Sequence, residues 1–111
     1  MERTVTIEGR DIVLKVHGNI PNMYEAQFGK DIFVEMNTMH STGNISMGLF
    51  SNFLWVCAKA ADKEILPPDE WFASFDSSPV LHCFEEVQEL FEKLLPMGKL
   101  TKPKVKAKAK R

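Results

Sequence analysis

The sequence predicts a single, mainly helical α+β domain. It would comprise an N-terminal β-hairpin, a bundle of four to five helices and a disordered, Lys-rich C-terminal tail. At 111 residues the chain is long enough for one core and too short for two. Apolar residues alternate with polar ones near the N-terminus, then recur at helical spacing. We therefore place the globular domain at residues 1–98 and the tail at residues 99–111.

The hairpin is predicted over residues 3–16. Its apolar residues alternate on either side of the Gly-containing turn "EGRD", which is the pattern of two short antiparallel strands. These residues are Val5, Ile7, Ile12, Leu14 and Val16. Because a two-stranded ribbon is marginally stable alone, we expect one of its faces to pack on the helices.

Helical structure is expected over about residues 20–40, in two runs. Pro21 suits a first helical turn, and Asn19 before it is a candidate cap. Gly29 interrupts the first run and Asp31 starts the second. The stretch "NTMHSTGNIS" (37–46) is rich in turn-forming residues, which predicts a loop or a frayed helix end.

A central helix is predicted at about residues 45–61, because its apolar surface is the widest in the chain. One apolar stripe comprises Ile45, Leu49, Phe53, Cys57 and Ala60. The double proline Pro67-Pro68 ends this region, and a short helix at 68–76 would follow, with Trp71 buried. We interpret "WVCAKAADKEILPPDEWF" (55–72) as the corner between two packed helices.

The last helix is predicted at residues 78–95. Ser77 or Ser78 would cap it, and Pro79 would occupy its first turn. The apolar stripe that it would bury comprises Val80, Phe84, Val87, Phe91 and Leu94. Most of its glutamates lie off this stripe, so we expect one side of the helix to be strongly acidic.

The charge is unevenly distributed along the chain. Residues 99–111 hold seven basic residues and no acid, whereas residues 1–98 hold seven basic and all 15 acidic residues, a net charge of −8. The residues that would contact an anionic partner are Lys102, Lys104, Lys106, Lys108, Lys110 and Arg111. Three interpretations remain open: binding of nucleic acid through its phosphates, binding of acidic protein (its own body or another subunit), or a solvated tail.

No residue pattern indicates catalysis, and we expect neither a metal nor a cofactor. The candidate metal ligands are His17, His40, His82, Cys57 and Cys83, and they lack CxxC or HxxxH spacing. GxSxG, SxxK and phosphate-loop patterns are also missing. The acids Asp62, Glu64, Asp69 and Glu70 are explained by a polar turn and a helix start. We interpret the two cysteines as buried structural thiols.

The N-terminus lacks the basic and apolar blocks of a secretory signal, and no apolar run approaches the roughly 20 residues that cross a bilayer. We therefore expect a cytoplasmic protein with no membrane partner.

Two motifs in order resemble the G-type tail assembly chaperones of long-tailed bacteriophages. "YEAQFGKDIF" (24–33) is similar to that family's Tyr-x-x-x-Phe-Gly-Lys-Asp-(Ile/Leu) stretch. "LWVCAKAADKEILPPDEWFASFD" (54–76) is similar to its Trp-x-x-Ala-Lys-x-Ala-Asp and Glu-Trp segment, and "FEEVQELFEKLL" (84–95) to its final helix. The residues that match are Tyr24, Phe28, Gly29, Lys30, Asp31, Trp55, Asp62 and Trp71, and we expect a structural role for the aromatic ones.

The resemblance implies a non-catalytic protein of the host cell cytoplasm that is not present in the mature virion. Its partners would be the tape-measure protein and the tail-tube protein, and self-association into a homo-oligomer stays open. In this family, ribosomes often shift frame near the end of the gene and make a longer product. Met97-Gly98-Lys99 is compatible with such a site, because ATG-GGA-AAG contains the heptamer G-GGA-AAG. The gene sequence tests this hypothesis.

The alternative function is a small regulatory protein that binds nucleic acid through its basic tail.

Overall fold

The computed structural model describes residues 1–94 and confirms the mainly helical α+β architecture. Over this range, a two-stranded antiparallel sheet precedes six helices. The elements are β1 (Glu2–Ile7), β2 (Arg10–Lys15), α1 (Ile20–Phe28), α2 (Ile32–Thr42), α3 (Met47–Ala61), α4 (Pro68–Ala73), α5 (Pro79–His82) and α6 (Phe84–Lys93). The tail predicted at 99–111, with its six candidate anion-binding residues, lies outside the described residues.

The hairpin closes through a two-residue turn. Ile7 pairs with Arg10, so Glu8 and Gly9 alone connect the strands. Both have positive φ angles, 52° and 79°, which suits the right-handed twist of the flanking strands. Val5, Ile7 and other alternate apolar side chains are buried, and β2 packs against α3.

Helix α3 is the centre of the domain, in contact with β2, α1, α5 and α6. Every residue from Phe53 to Ala58 is buried. The prediction that Ile45 belongs to this core was wrong, since its side chain is 63% exposed. Ser46 caps α3 by accepting a hydrogen bond at Oγ from the Leu49 N–H (3.1 Å), so the helix begins at Met47 and Ile45 lies before it.

The helical region predicted at 20–40 is two helices with a defined junction. Gly29 ends α1 with a φ of 70°, a conformation that glycine adopts without steric cost, and its N–H donates to the Glu25 carbonyl. The Asp31 carboxylate then caps α2 by accepting from the Phe33 N–H at 2.8 Å. α2 extends to Thr42, into the predicted loop, and ends at Gly43, whose φ is 75° and whose N–H donates to the Met39 carbonyl.

The single helix predicted at 78–95 was wrong: α5 and α6 are separated at Cys83. There the backbone leaves the helical region (φ −141°, ψ 32°), and the Cys83 N–H donates to Val80 instead of Pro79. The Cys83 thiol donates a hydrogen bond to the Pro79 carbonyl, at 3.6 Å. Helix α4 also ends three residues earlier than predicted, because the Ser74 hydroxyl donates to the Trp71 carbonyl.

Helix α6 is held to the rest of the domain by aromatic contacts in the core and by an ion pair at the surface. The Phe91 ring meets the rings of Phe50 and Phe53 edge-on, each at 5.2 Å between centroids. At the surface, Arg3 of β1 forms an ion pair with Glu89 at 2.6 Å.

No helix within residues 1–94 has the length and apolar character needed to cross a bilayer.

Candidate functional site

The two motif stretches of the sequence meet in one aromatic cluster, formed by Tyr24, Phe28 and Trp55. The Tyr24 and Phe28 rings lie 5.2 Å apart, and the Phe28 ring meets Trp55 edge-on at 6.0 Å. Tyr24 and Trp55 are buried and Phe28 is half-buried. The cluster therefore joins α1 to α3, and its residues are part of the core.

The polar atoms of this cluster have fixed partners. The Tyr24 hydroxyl donates to the Glu35 carboxylate of α2 at 2.6 Å. Burial, together with this carboxylate, raises the pKa of Tyr24 well above its ordinary value. The Trp55 indole N–H donates to the Leu66 carbonyl at 3.0 Å and so holds the loop that precedes the double proline. Both side chains are thus used to connect elements of the fold.

The other motif residues are spread over three places. Gly29 and Asp31 form the junction of α1 and α2, with Lys30 exposed between them. Asp62 lies at the end of α3, where its carboxylate accepts from the Glu64 N–H. Trp71 is buried against Phe75 and Phe72, with ring centroids at 5.0 and 5.4 Å.

A polar cluster that the sequence did not indicate fastens the hairpin turn to the loop at 74–77. The Glu8 carboxylate accepts from the backbone N–H groups of Asp76 and Ser77, each at 2.9 Å. These hydrogen bonds lower the pKa of Glu8. Arg10 donates to Ser74 Oγ at 3.0 Å, and its guanidinium lies 4.0 Å above the centre of the Phe75 ring. We call Glu8 and Arg10, with the loop that they hold, the turn clamp.

The turn clamp contains a serine, a histidine and a carboxylate in contact. Ser77 Oγ lies 2.7 Å from His82 Nε2 and 2.8 Å from the Glu8 carboxylate, which is itself 3.8 Å from the same nitrogen. In a Ser-His-Asp triad the carboxylate binds the other ring nitrogen and so orients the imidazole towards the serine. Glu8 instead uses both oxygens to bind backbone N–H groups. This geometry is that of a structural clamp.

An exposed apolar groove lies where α2 meets the loop before α3. Two adjoining depressions share Met39, Asn44 and Ile45. One runs along α2 past Val34, and the other reaches Phe50 and Gln88. Val34 is 61% exposed and Ile45 63%, whereas most large apolar side chains of this domain are covered. We call this surface the Ile45 groove; sequence reasoning missed it because helical periodicity assigned Ile45 to the core.

One wall of the Ile45 groove belongs to an acidic stripe on α6. Gln88 lines the groove, and Glu85 and Glu92 lie three residues before it and four after it, on the same helix face. All three side chains are exposed. Neither glutamate forms an ion pair with a residue in the range 1–94. The groove therefore has an apolar floor and an acidic margin.

Both cysteines are buried free thiols. Burial raises the pKa of both, that of Cys83 to about 11 with a contribution from Glu86. No group of three or more His, Cys, Asp or Glu side chains within residues 1–94 is placed to hold a metal ion.

Comparisons of the chain with known protein families, curated proteins and solved structures find no match.

Proposed function

We propose that this chain is a non-catalytic tail assembly chaperone of a long-tailed bacteriophage. It would bind the tape-measure protein and help to recruit tail-tube subunits in the host cytoplasm, before the virion is complete. The observation that supports this proposal best is the Ile45 groove, an exposed apolar surface on a body whose residues 1–98 carry a net charge of −8. Exposed apolar patches with polar margins are typical of protein-binding sites.

The groove fits the apolar side of a helical client. Val34 and Ile45 give it two exposed branched side chains, and Met39 adds a side chain that adapts its shape to a partner. The acidic surface around it keeps a coated client soluble through charge repulsion between complexes. The motif resemblance supports the same function. Within the fold, the aromatic residues of the motifs connect α1 to α3 and hold the loop between α3 and α4.

The proposal is tested by producing the full chain together with the tape-measure protein encoded in the same genome. We expect the tape-measure protein to become soluble and to purify with the chain, and purified virions to lack the chain. If the tape-measure protein stays insoluble, or if the chain is found in virions, the proposal is wrong. A chain that instead binds DNA, with an affinity that falls steeply with salt, would favour the nucleic-acid alternative.

A further inference from the structure

We propose that the Ile45 groove selects one kind of client segment: an amphipathic helix of about three turns with Lys or Arg beside its apolar side. This selection rests on the proposed function, because it specifies the chemistry of the client. The apolar floor alone would accept any apolar helix, whereas the charges around the floor fix the sign of the charge that the client carries.

The length of the groove fits a short helix. Val34, Thr38 and Thr42 follow one another at four-residue intervals along α2 and line the same depression. At 1.5 Å per residue this row is about 12 Å long. Positions i and i+7 of a partner helix are about 10.5 Å apart, so they span the row, and the positions i+3 and i+4 lie over Met39 and Ile45. Three turns of client helix therefore cover the floor.

The charged groups around the groove are carboxylates. Glu35 lines one depression, no Lys or Arg within residues 1–94 lines either, and His40 is counted as neutral at pH 7. The Glu35 carboxylate accepts the Tyr24 hydroxyl but forms no ion pair with the described residues. On the side of α6, the acidic stripe adds the exposed carboxylates of Glu85 and Glu92. The margins therefore attract a basic helix and repel an acidic one.

The floor and the margins of the groove have different roles in binding. Burial of apolar side chains supplies most of the affinity and does not depend on the sign of the client's charge. Exposed ion pairs contribute little each, but like charges at the same positions repel and so reject the wrong client. The ratio of affinities for a basic and an acidic helix therefore measures what the margins do.

The test uses the purified full chain and three synthetic peptides of about 18 residues, which is five helical turns. All three carry Leu at positions i, i+3, i+4 and i+7, and their flanking positions hold Lys, Gln or Glu. We expect the Lys peptide to bind about tenfold more tightly than the Glu peptide, with the Gln peptide between them. The ratio should fall towards one in 0.5 M NaCl, since salt screens exposed pairs.

Controls separate binding in the groove from general attraction between charges. A Lys peptide of the same composition, with its Leu residues out of helical register, should bind at least tenfold more weakly. Ile45→Asp should weaken binding of the Lys peptide by a similar factor. Glu85→Gln with Glu92→Gln should reduce the preference for Lys over Gln about threefold, whereas Glu25→Gln with Glu70→Gln, which removes the same charge elsewhere, should leave it unchanged.

Equal binding of the Lys and Glu peptides, or binding of the Lys peptide that survives Ile45→Asp, would overturn the proposal. A chain that dimerises and becomes monomeric with Ile45→Asp would also overturn it, because a second copy would then occupy the groove. The tape-measure protein is tested separately. If the chain keeps that protein soluble but does not distinguish the peptides, only the charge selection is wrong. If the Lys peptide binds in the groove and the tape-measure protein does not bind, only the proposed function is wrong.

Discussion

The Glu8 carboxylate accepts hydrogen bonds from both the backbone N–H (2.9 Å) and the hydroxyl (2.8 Å) of Ser77, which lies 69 residues later in the chain. Glu8 occupies a left-handed backbone conformation (φ 52°) that is uncommon for a residue with a side chain. A glycine or asparagine would suit the turn better. The carboxylate is therefore a specific reason for a glutamate here: it joins the hairpin to the loop before α5.

We expect Glu8→Gln to destabilise the domain in a pH-dependent way. The folded state lowers the pKa of Glu8 below its ordinary value of 4.5, so its carboxylate stabilises the fold above that pH. This contribution is lost as the pH falls through the folded pKa. Thermal unfolding of the chain and the variant should therefore differ more at pH 7 than at pH 3. Glu25→Gln, at an exposed site on α1, is the control, and an equal difference at both pH values would contradict the assignment.

Trp55→Phe should release the loop before the double proline. The substitution keeps an aromatic ring but leaves the Leu66 carbonyl without its donor, which we expect to cost about 1–3 kcal/mol. Amide exchange at Glu64 and Ile65 should become faster. Trp71→Phe is the matched control, because the Trp71 indole makes no hydrogen bond to the described residues. If both variants change loop exchange alike, the indole hydrogen bond does not hold the loop.

Tyr24→Phe tests the link between α1 and α2. Removing the buried hydroxyl deprives the Glu35 carboxylate of its donor, and we expect the free energy of unfolding to fall by about 1–2 kcal/mol. Glu35→Gln keeps an acceptor oxygen opposite the hydroxyl and should cost less. Urea unfolding of both variants measures the difference. An unchanged midpoint for Tyr24→Phe would show that the hydrogen bond contributes no net stability.

Both cysteines should be inert in the folded chain. With a pKa of about 11, Cys83 is thiolate in only about one molecule in a thousand at pH 8, and burial suppresses Cys57 as well. Iodoacetamide should therefore label both thiols in denaturant and neither under native conditions, as followed by mass. Rapid native labelling of either cysteine would contradict their burial.

Much of the fold was predictable because its signals are local. The alternation around Gly9 specifies the hairpin, and Gly29 followed by Asp31 specifies where one helix ends and the next begins. The break at Cys83 was not predictable, because the apolar stripe continues through it and no proline or glycine marks it. The turn clamp was also missed, because Glu8 and Ser77 meet only in the folded chain.

The candidate site was harder to predict than the fold. A 3.6-residue pattern includes Ile45 as readily as Leu49, so periodicity alone extended α3 too far. Ser46 was the available signal: a serine three residues before Leu49 is a capping residue, and it places Ile45 outside the helix. The cap leaves Ile45 outside α3, where its side chain lines the groove together with residues of α2.

The affinity of the full chain for the tape-measure protein tests the central claim most directly. Ile45→Asp places a charge in the groove, whereas Leu81→Asp places one at a leucine of similar exposure (67%) on α5. We expect Ile45→Asp to weaken binding at least tenfold, since burying such a side chain contributes about 1.5–3 kcal/mol. Leu81→Asp should bind within about twofold of the unmodified chain. Leu81 does not line the groove, so its substitution should not cost the roughly 1.4 kcal/mol that corresponds to a tenfold weakening. Equal affinities for all three chains, or no binding by the unmodified chain, would contradict the claim that this groove holds the client.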